Sequence, residues 1–230
     1  MKTLPGSDLR LLVFDWDGTL MDSISTICGC LAGAFAAAGL PDREEAYKEI
    51  IGLGLDEALA VLAPGIDERQ REQVLSAYRD CFFASSMAEM PLFPGVEPAL
   101  RDLADAGFHL AVATGKSRRG LDRMLAAHPA LAQCIAASRC ADESRSKPHP
   151  QMLHELLGHF GLPPGAALMV GDSIHDMEMA VAAGVLPVGV CCGVHDAQRL
   201  QTHGAQACLA EVQDLPAWLR RTMAAARLKA

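Results

Sequence analysis

Leu11-Leu12-Val13-Phe14-Asp15-Trp16-Asp17-Gly18-Thr19 joins four apolar residues directly to two carboxylates one residue apart, then to Gly and Thr. A short apolar run ended by a Gly-containing turn reads as a buried strand of a parallel sheet. Its C-terminal end presents Asp15 and Asp17 at the edge where open α/β sheets bind ligands. Side chains alternate along a strand, but a turn at Gly18 brings both carboxylates toward one pocket. Two such groups repel unless a cation or a proton lies between them. The segment therefore asks for a metal, a shared proton, or both.

Downstream, Ile24, Ile27, Cys28, Leu31 and Phe35 follow helical spacing, closed by Gly39 and Pro41. Further helical segments are expected at about 43–51, 56–62 and around Val74 to Phe82, with Pro91 and Pro94-Gly95 marking a boundary. From Val96 the pattern alternates between strands and helices. Strands are predicted at 109–114, weakly at 134–137, and at 167–172, 187–191 and 207–210. Such alternation implies βαβ units. The expected fold is α/β: a Rossmann-like doubly wound parallel sheet built from residues 1–20 and 92–230, interrupted by an α-helical cap at 21–91.

Composition narrows the function. The 230 residues are 50% hydrophobic by type and carry a net charge of −8. The absence of any long Lys/Arg cluster argues against nucleic acid as partner. An anionic substrate needs a local cation or metal against this global field. No apolar run approaches the roughly 18 residues of a membrane span, and Met1 to Arg10 lacks the apolar core of a signal peptide. The eight cysteines (28, 30, 81, 134, 140, 191, 192 and 208) do not follow zinc spacings. They read as small buried hydrophobes in a reducing cytoplasm.

Three further strand ends carry polar residues: Thr114-Gly115-Lys116, Lys147-Pro148 from a loop, and Gly171-Asp172 with Asp176 four residues on. Parallel strands place their C-terminal ends on one edge, so Asp15, Asp17, Thr114 and Asp172 are expected to converge, with Lys147 beside them. Hard oxygen ligands with room for water suit Mg²⁺, and the remaining donors suit a phosphoryl group.

Together, Asp15-x-Asp17-Gly18-Thr19, Thr114-Gly115, Lys147-Pro148 and Gly171-Asp172-Ser173-x-x-Asp176 resemble the haloacid dehalogenase superfamily. More narrowly, the chain is similar to its phosphoglycolate-phosphatase-like hydrolases with a helical cap. The resemblance implies Asp15 as the nucleophile that forms an aspartyl-phosphate. It implies Asp17 as general acid and then base, with its backbone carbonyl as a metal ligand. Asp15 and Asp172 would ligate Mg²⁺, and Asp176 would support it through water. Thr114, with N–H groups around Gly18 and Gly115, would bind phosphoryl oxygens. Lys147 would neutralise charge on nucleophile and phosphoryl group.

Other readings of single residues stay open at this point. Ser173-x-x-Asp176 also spells a helix capping box. Lys116 faces either pocket or solvent, His149 and His175 read as polar loop residues, and Met177 and Met179 as packing. The expected substrate is a small phosphorylated metabolite, phosphoglycolate-like or a sugar phosphate, with Gly52-Leu53-Gly54-Leu55 facing the site from the cap. A β-phosphoglucomutase-like sugar-phosphate mutase is the enzymatic alternative, and a non-catalytic partner-binding member of the fold is the other. No membrane partner is expected, and the chain is read as a monomer or homodimer.

Overall fold

The computed structural model describes residues 8–227; the reading of Met1 to Arg10 as lacking a signal-peptide core falls, for Met1 to Ser7, outside them. Strand β1, Leu11–Phe14, is buried at every position. It sits inside a six-stranded sheet with β2 (His109–Thr114), β3 (Ile135–Cys140), β4 (Ala167–Gly171), β5 (Leu186–Val190) and β6 (Ala207–Leu209), ordered β3-β2-β1-β4-β5-β6. Every pairing is parallel. The order runs outward from β1 in both directions, so the topological switch lies between β1 and β4, where a crevice opens at the carboxyl ends.

The period of two along the strands divides the core. Leu12, Phe14, Leu110, Val112, Leu168 and Val170 face one side, and Leu11, Val13, Ala111, Ala113, Ala167 and Met169 face the other. Helices α8 (Gln151–Phe160) and α9 (Ile174–Ala183) cover the second face through Met152, Leu156 and Met179. Helices α5 (Val96–Asp105), α6 (Arg118–Ala127) and α11 (Leu215–Arg227) contribute Leu100, Leu121 and Leu219 to the first.

Between β1 and α5 the chain is helical: α1 (Ile24–Ala37), α2 (Glu44–Tyr47), α3 (Leu55–Leu62) and α4 (Glu68–Ala84). Its two connections to the sheet run side by side. Asp22 N–H donates to the Pro91 carbonyl at 2.8 Å, and Phe93 N–H to that of Leu20 at 3.0 Å. Among the described residues, no helix is long and apolar enough to cross a membrane.

Three expectations are corrected. The helix read at 43–51 is only α2 followed by a 3-10 turn at Lys48–Ile50. Tyr47 is pulled into the core, edge-on to Phe35, and Gly52 at φ +97° turns the chain back over the sheet. Strand β3 runs on to Cys140, through Ser138 and Arg139. It pairs only with β2, and an edge strand tolerates polar residues that hide it from hydrophobic periodicity. The cysteines are not uniformly buried thiols: Cys191 is exposed, and Cys30 on α1 is disulfide-bonded to Cys81 on α4, with Cα atoms 5.6 Å apart. The α1–α4 packing joins two residues 51 positions apart, which spacing alone does not reveal.

Candidate active site

At the carboxyl ends of β1 and β4, oxygens of Asp15, Asp172 and Asp176 lie within 4.8 Å of one another, all buried. Lys147 enters from the loop before α8. Its Nζ lies 2.7 Å from Asp15 Oδ1 and donates to Asp176 Oδ1 at 2.6 Å, with both lysine and carboxylates cut off from solvent. Two carboxylates thus share one ammonium, with the third, Asp172, close by. Asp172 is held by Thr19 Oγ1, donating to its Oδ1 at 2.8 Å, and by the Val194 N–H, donating to its Oδ2 at 2.8 Å. Asp176 Oδ2 accepts from the Ser173 hydroxyl at 2.6 Å and the Ser173 N–H at 3.1 Å. With the Ser173 hydroxyl accepting from the Asp176 N–H, this is a complete capping box on α9. Among the described residues, Lys147 is the polar side chain that reaches the Asp15 carboxylate.

Burial pushes the Asp15 carboxyl well above its usual range. The Lys147 charge opposes this, while Asp176 and Asp172 add to it. Asp172 is pushed up to about 7, by burial first and the Asp176 charge second, against the Val194 and Thr19 hydrogen bonds. The ammonium of Lys147 is raised because its two carboxylates outweigh its own desolvation. A buried acidic cluster with too little positive charge fits a hard divalent cation, and Asp15 retains open acceptor positions for one.

Glycines shape this cluster. A Cβ on Gly18 (φ +76°) would lie 2.2 Å from Asp172 Oδ2, and one on Gly193 1.9 Å from the same atom. The Gly18 N–H is engaged by the Met21 carbonyl at 2.9 Å. What Gly18 supplies is therefore the turn and the close approach.

Asp17 points away from the triad. It pairs with Lys116 Nζ at 2.8 Å and accepts from the Ser23 hydroxyl. Lys116, open to either reading in the sequence, is buried, and its ammonium lies 4.3 Å from the Phe82 ring centroid. Thr114 is buried at the end of β2, and its Oγ1 accepts the Lys116 N–H at 3.2 Å, leaving its hydroxyl proton free to donate. Gly115 touches the loop after the 3-10 turn: a Cβ there would meet the Leu53 carbonyl at 2.3 Å.

The helical segment closes over this edge. Gly54 N–H donates to Ser146 Oγ at 2.7 Å. Arg123 on α6 donates to the Phe82 and Ser85 carbonyls at 2.9 and 2.7 Å. Glu49 takes both guanidinium nitrogens of Arg199, from α10 (Ala197–Thr202), one at 2.8 Å. Its own carbonyl contacts His175 Nε2 at 2.8 Å. His195 is buried beside them: its backbone N–H donates to the Asp172 carbonyl at 3.2 Å and its Nδ1 accepts from Ile174 N–H. Burial and the Arg199 charge lower its pKa. Thr19, Ser173 and Lys116 lie within the quoted motifs, so their places were marked though their contacts were not. His195 follows β5, and the topology rule points to that strand end too. Phe82 carries only a helical-face signal.

The haloacid dehalogenase-like hydrolase family model matches residues 12–190. The Dickeya dadantii protein named "Probable phosphatase IndB" is 30% identical over 195 residues, 83% of this chain and 85% of that one. A phosphoglycolate phosphatase of Mannheimia succiniciproducens is 31% identical over 198 residues, 81% and 88% of the two chains. The crystal structure of a predicted phosphatase from Clostridium acetobutylicum superposes with a TM-score of 0.82 at 25% identity, covering 94% of this chain and all of that one. The chain belongs to the haloacid dehalogenase-like hydrolase family. The family and fold expected from the motifs are both borne out.

Proposed function

We propose that this protein is a Mg²⁺-dependent phosphatase that hydrolyses a small phosphorylated metabolite through an aspartyl-phosphate on Asp15. The observation that carries this is the Asp15 carboxylate itself. It is buried at the switch point beside two further carboxylates, and among the described residues Lys147 is its one cationic partner. Such a group is costly to keep and suited to attack on phosphorus. The phosphatase names of the relatives support the reading.

In this reading an Asp15 oxygen attacks phosphorus in line and the ester oxygen leaves. Asp17 gives that oxygen a proton and later takes one from the attacking water. Its separate pocket, with Lys116 and Ser23, keeps its role distinct from the triad. Thr114 and the Gly115 turn hold phosphoryl oxygens, with Gly18 forming the floor. Lys147 offsets the charge on Asp15 and the transferring group. Asp15, Asp172 and the Asp17 carbonyl would hold Mg²⁺, with Asp176 supporting it through water. The ion supplies charge neutralisation of the phosphoryl oxygens.

Residues 21–91 serve as a cap over a core of 1–20 and 92–230, acting on a metabolite and not on nucleic acid or membrane, as monomer or homodimer. A cytoplasmic location belongs to the same reading, and the Cys30–Cys81 bond pulls against it. Phosphate release from an aryl phosphate, with Mg²⁺, with chelator and with Asp15→Asn, tests the reaction class. Release that needs Mg²⁺ and vanishes in the variant supports it. Equal release from the variant refutes Asp15 as nucleophile. Transfer to a sugar hydroxyl in place of water would instead give the mutase, and no turnover with retained protein binding the non-catalytic reading.

A further inference from the structure

A pocket of about 200 Å³ lies between the helical segment and the sheet edge. Asp17 lines it and Asp15 does not. If Asp17 protonates the departing oxygen, this is the space in which the alcohol part of the ester sits; the inference rests on the phosphatase reading to that extent. The volume is below the roughly 300–1,000 Å³ of drug-sized ligand sites, so the alcohol is compact.

Much of its wall is apolar, with Asp17, Lys116 and Ser117 on the polar side. Ile27 and Leu31 come from α1, Tyr78 and Phe82 from α4, and Ile51 and Leu53 from the loop after the 3-10 turn. Tyr78 carries the polar tip of this wall, and burial together with the Asp17 charge raises its pKa, so it is a neutral donor. Lys116 is committed to Asp17 and the Phe82 face. Arg79, Asp56, Glu57 and Asp142 also line it and are exposed, Asp56 being paired with Arg71. With Lys116 committed to Asp17, a second carboxylate or phosphate would have Arg79 as the lining cation left to it among the described residues, opposed by the exposed carboxylates of Glu57 and Asp142. Hydroxyls of a polyol that fall on the Ile, Leu and Phe part of the wall would lose hydration without a partner.

We infer that the substrate is the phosphate monoester of a compact, uncharged, largely apolar alcohol, branched aliphatic or aromatic, rather than phosphoglycolate or a sugar phosphate. The apolar wall then discriminates by area removed from water, which is worth about fourfold in affinity per methylene.

Binding of non-hydrolysable phosphonates, measured by calorimetry with Mg²⁺ present, tests this without turnover. Across methyl-, propyl-, 3-methylbutyl- and benzylphosphonate, Kd should fall by about fourfold per methylene until the pocket fills. Phosphonoacetate should bind at least tenfold more weakly than propylphosphonate. Leu53→Asn, on the partly buried loop of the wall, should flatten the series. A flat series in the wild type, or phosphonoacetate binding more tightly than propylphosphonate, overturns the inference. Phosphate release from the matching esters is followed separately. No release with a steep phosphonate series would refute the phosphatase reading and leave the pocket's preference established.

Discussion

Replacing Asp15 by Asn should abolish turnover and, in the absence of divalent metal, make the fold more stable. Asp15 is attracted by Lys147 at 2.7 Å and repelled by two carboxylates within 4.8 Å. At an effective dielectric constant near 20, the attraction is about 6 kcal/mol and the two repulsions are each about 3.5 kcal/mol or more. These nearly cancel. What remains is the cost of taking a carboxylate out of water, several kcal/mol, against roughly 1–3 kcal/mol for an imperfectly bonded buried amide. A net stabilisation of about 1–3 kcal/mol follows for Asp15→Asn at pH 8 in chelator, read from urea unfolding. The sign with pH is fixed by the raised native pKa of Asp15 and Asp172. Between the unfolded value near 4 and the native value, the folded protein holds more protons than the unfolded one. The cluster therefore loses stability as pH rises through that window, and the advantage of the variant should shrink on acidification toward pH 5. Mg²⁺ should restore the wild type by about 2.7 kcal/mol at a hundred times its Kd, and do much less for the variant. A variant destabilised by 1 kcal/mol or more in chelator at pH 8 would refute the reasoning, because the Lys147 attraction would then outweigh burial.

Asp17→Asn should cut hydrolysis of alkyl esters by about 10²–10⁴ but that of a nitrophenyl ester far less, since a good leaving group needs little protonation; equal losses on both would remove Asp17 as the acid. Glu49→Gln weakens the partly exposed Arg199 contact between helical segment and core, worth about 0.2–1 kcal/mol, so KM should rise up to about fivefold without loss of kcat, as steady-state kinetics can show. Because Arg199 lowers the Glu49 pKa, that contact persists above the usual carboxylate range and is lost as pH falls through the lowered value. Cys81→Ser, or reduction, removes closure of a loop spanning 51 positions. The chain-entropy model gives about 4 kcal/mol for this, so Tm should fall by roughly 8–16 °C in calorimetry with and without reductant.

The sheet was legible because β1, β2 and β4 are short, buried and ended by polar or Gly-containing turns, and parallel topology then assigns their ends to one edge. Asp15, Asp172, Asp176 and Lys147 were named from those ends, and the structure brings them together. Asp17 was named with them but turns away to Lys116, since neighbouring strand-end residues diverge unless the turn rotates them back. Edge strand β3 and the Cys30–Cys81 pairing were hidden. One depends on what the strand lacks as a neighbour, and the other on how two distant helices pack. Of the pocket, the Gly52 to Leu55 loop was legible and lines it as expected, whereas Ile27, Leu31 and Phe82 carry the same spacing whether they fill a core or line a cavity.

The inner position of β1 sets an order of events during synthesis. Leu11 must wait for His109 and then for Ala167 before both its edges are paired. At about 5–20 residues per second, roughly 8–30 s separate the appearance of Asp15 from that of Asp172. Until β2 is made both edges of β1 are open, and until β4 is made one of them still is. The nascent chain therefore carries its nucleophile long before it can assemble the triad around it. A ribosome-stalled fragment ending before β4 should bind hydrophobic-strand chaperones and no Mg²⁺.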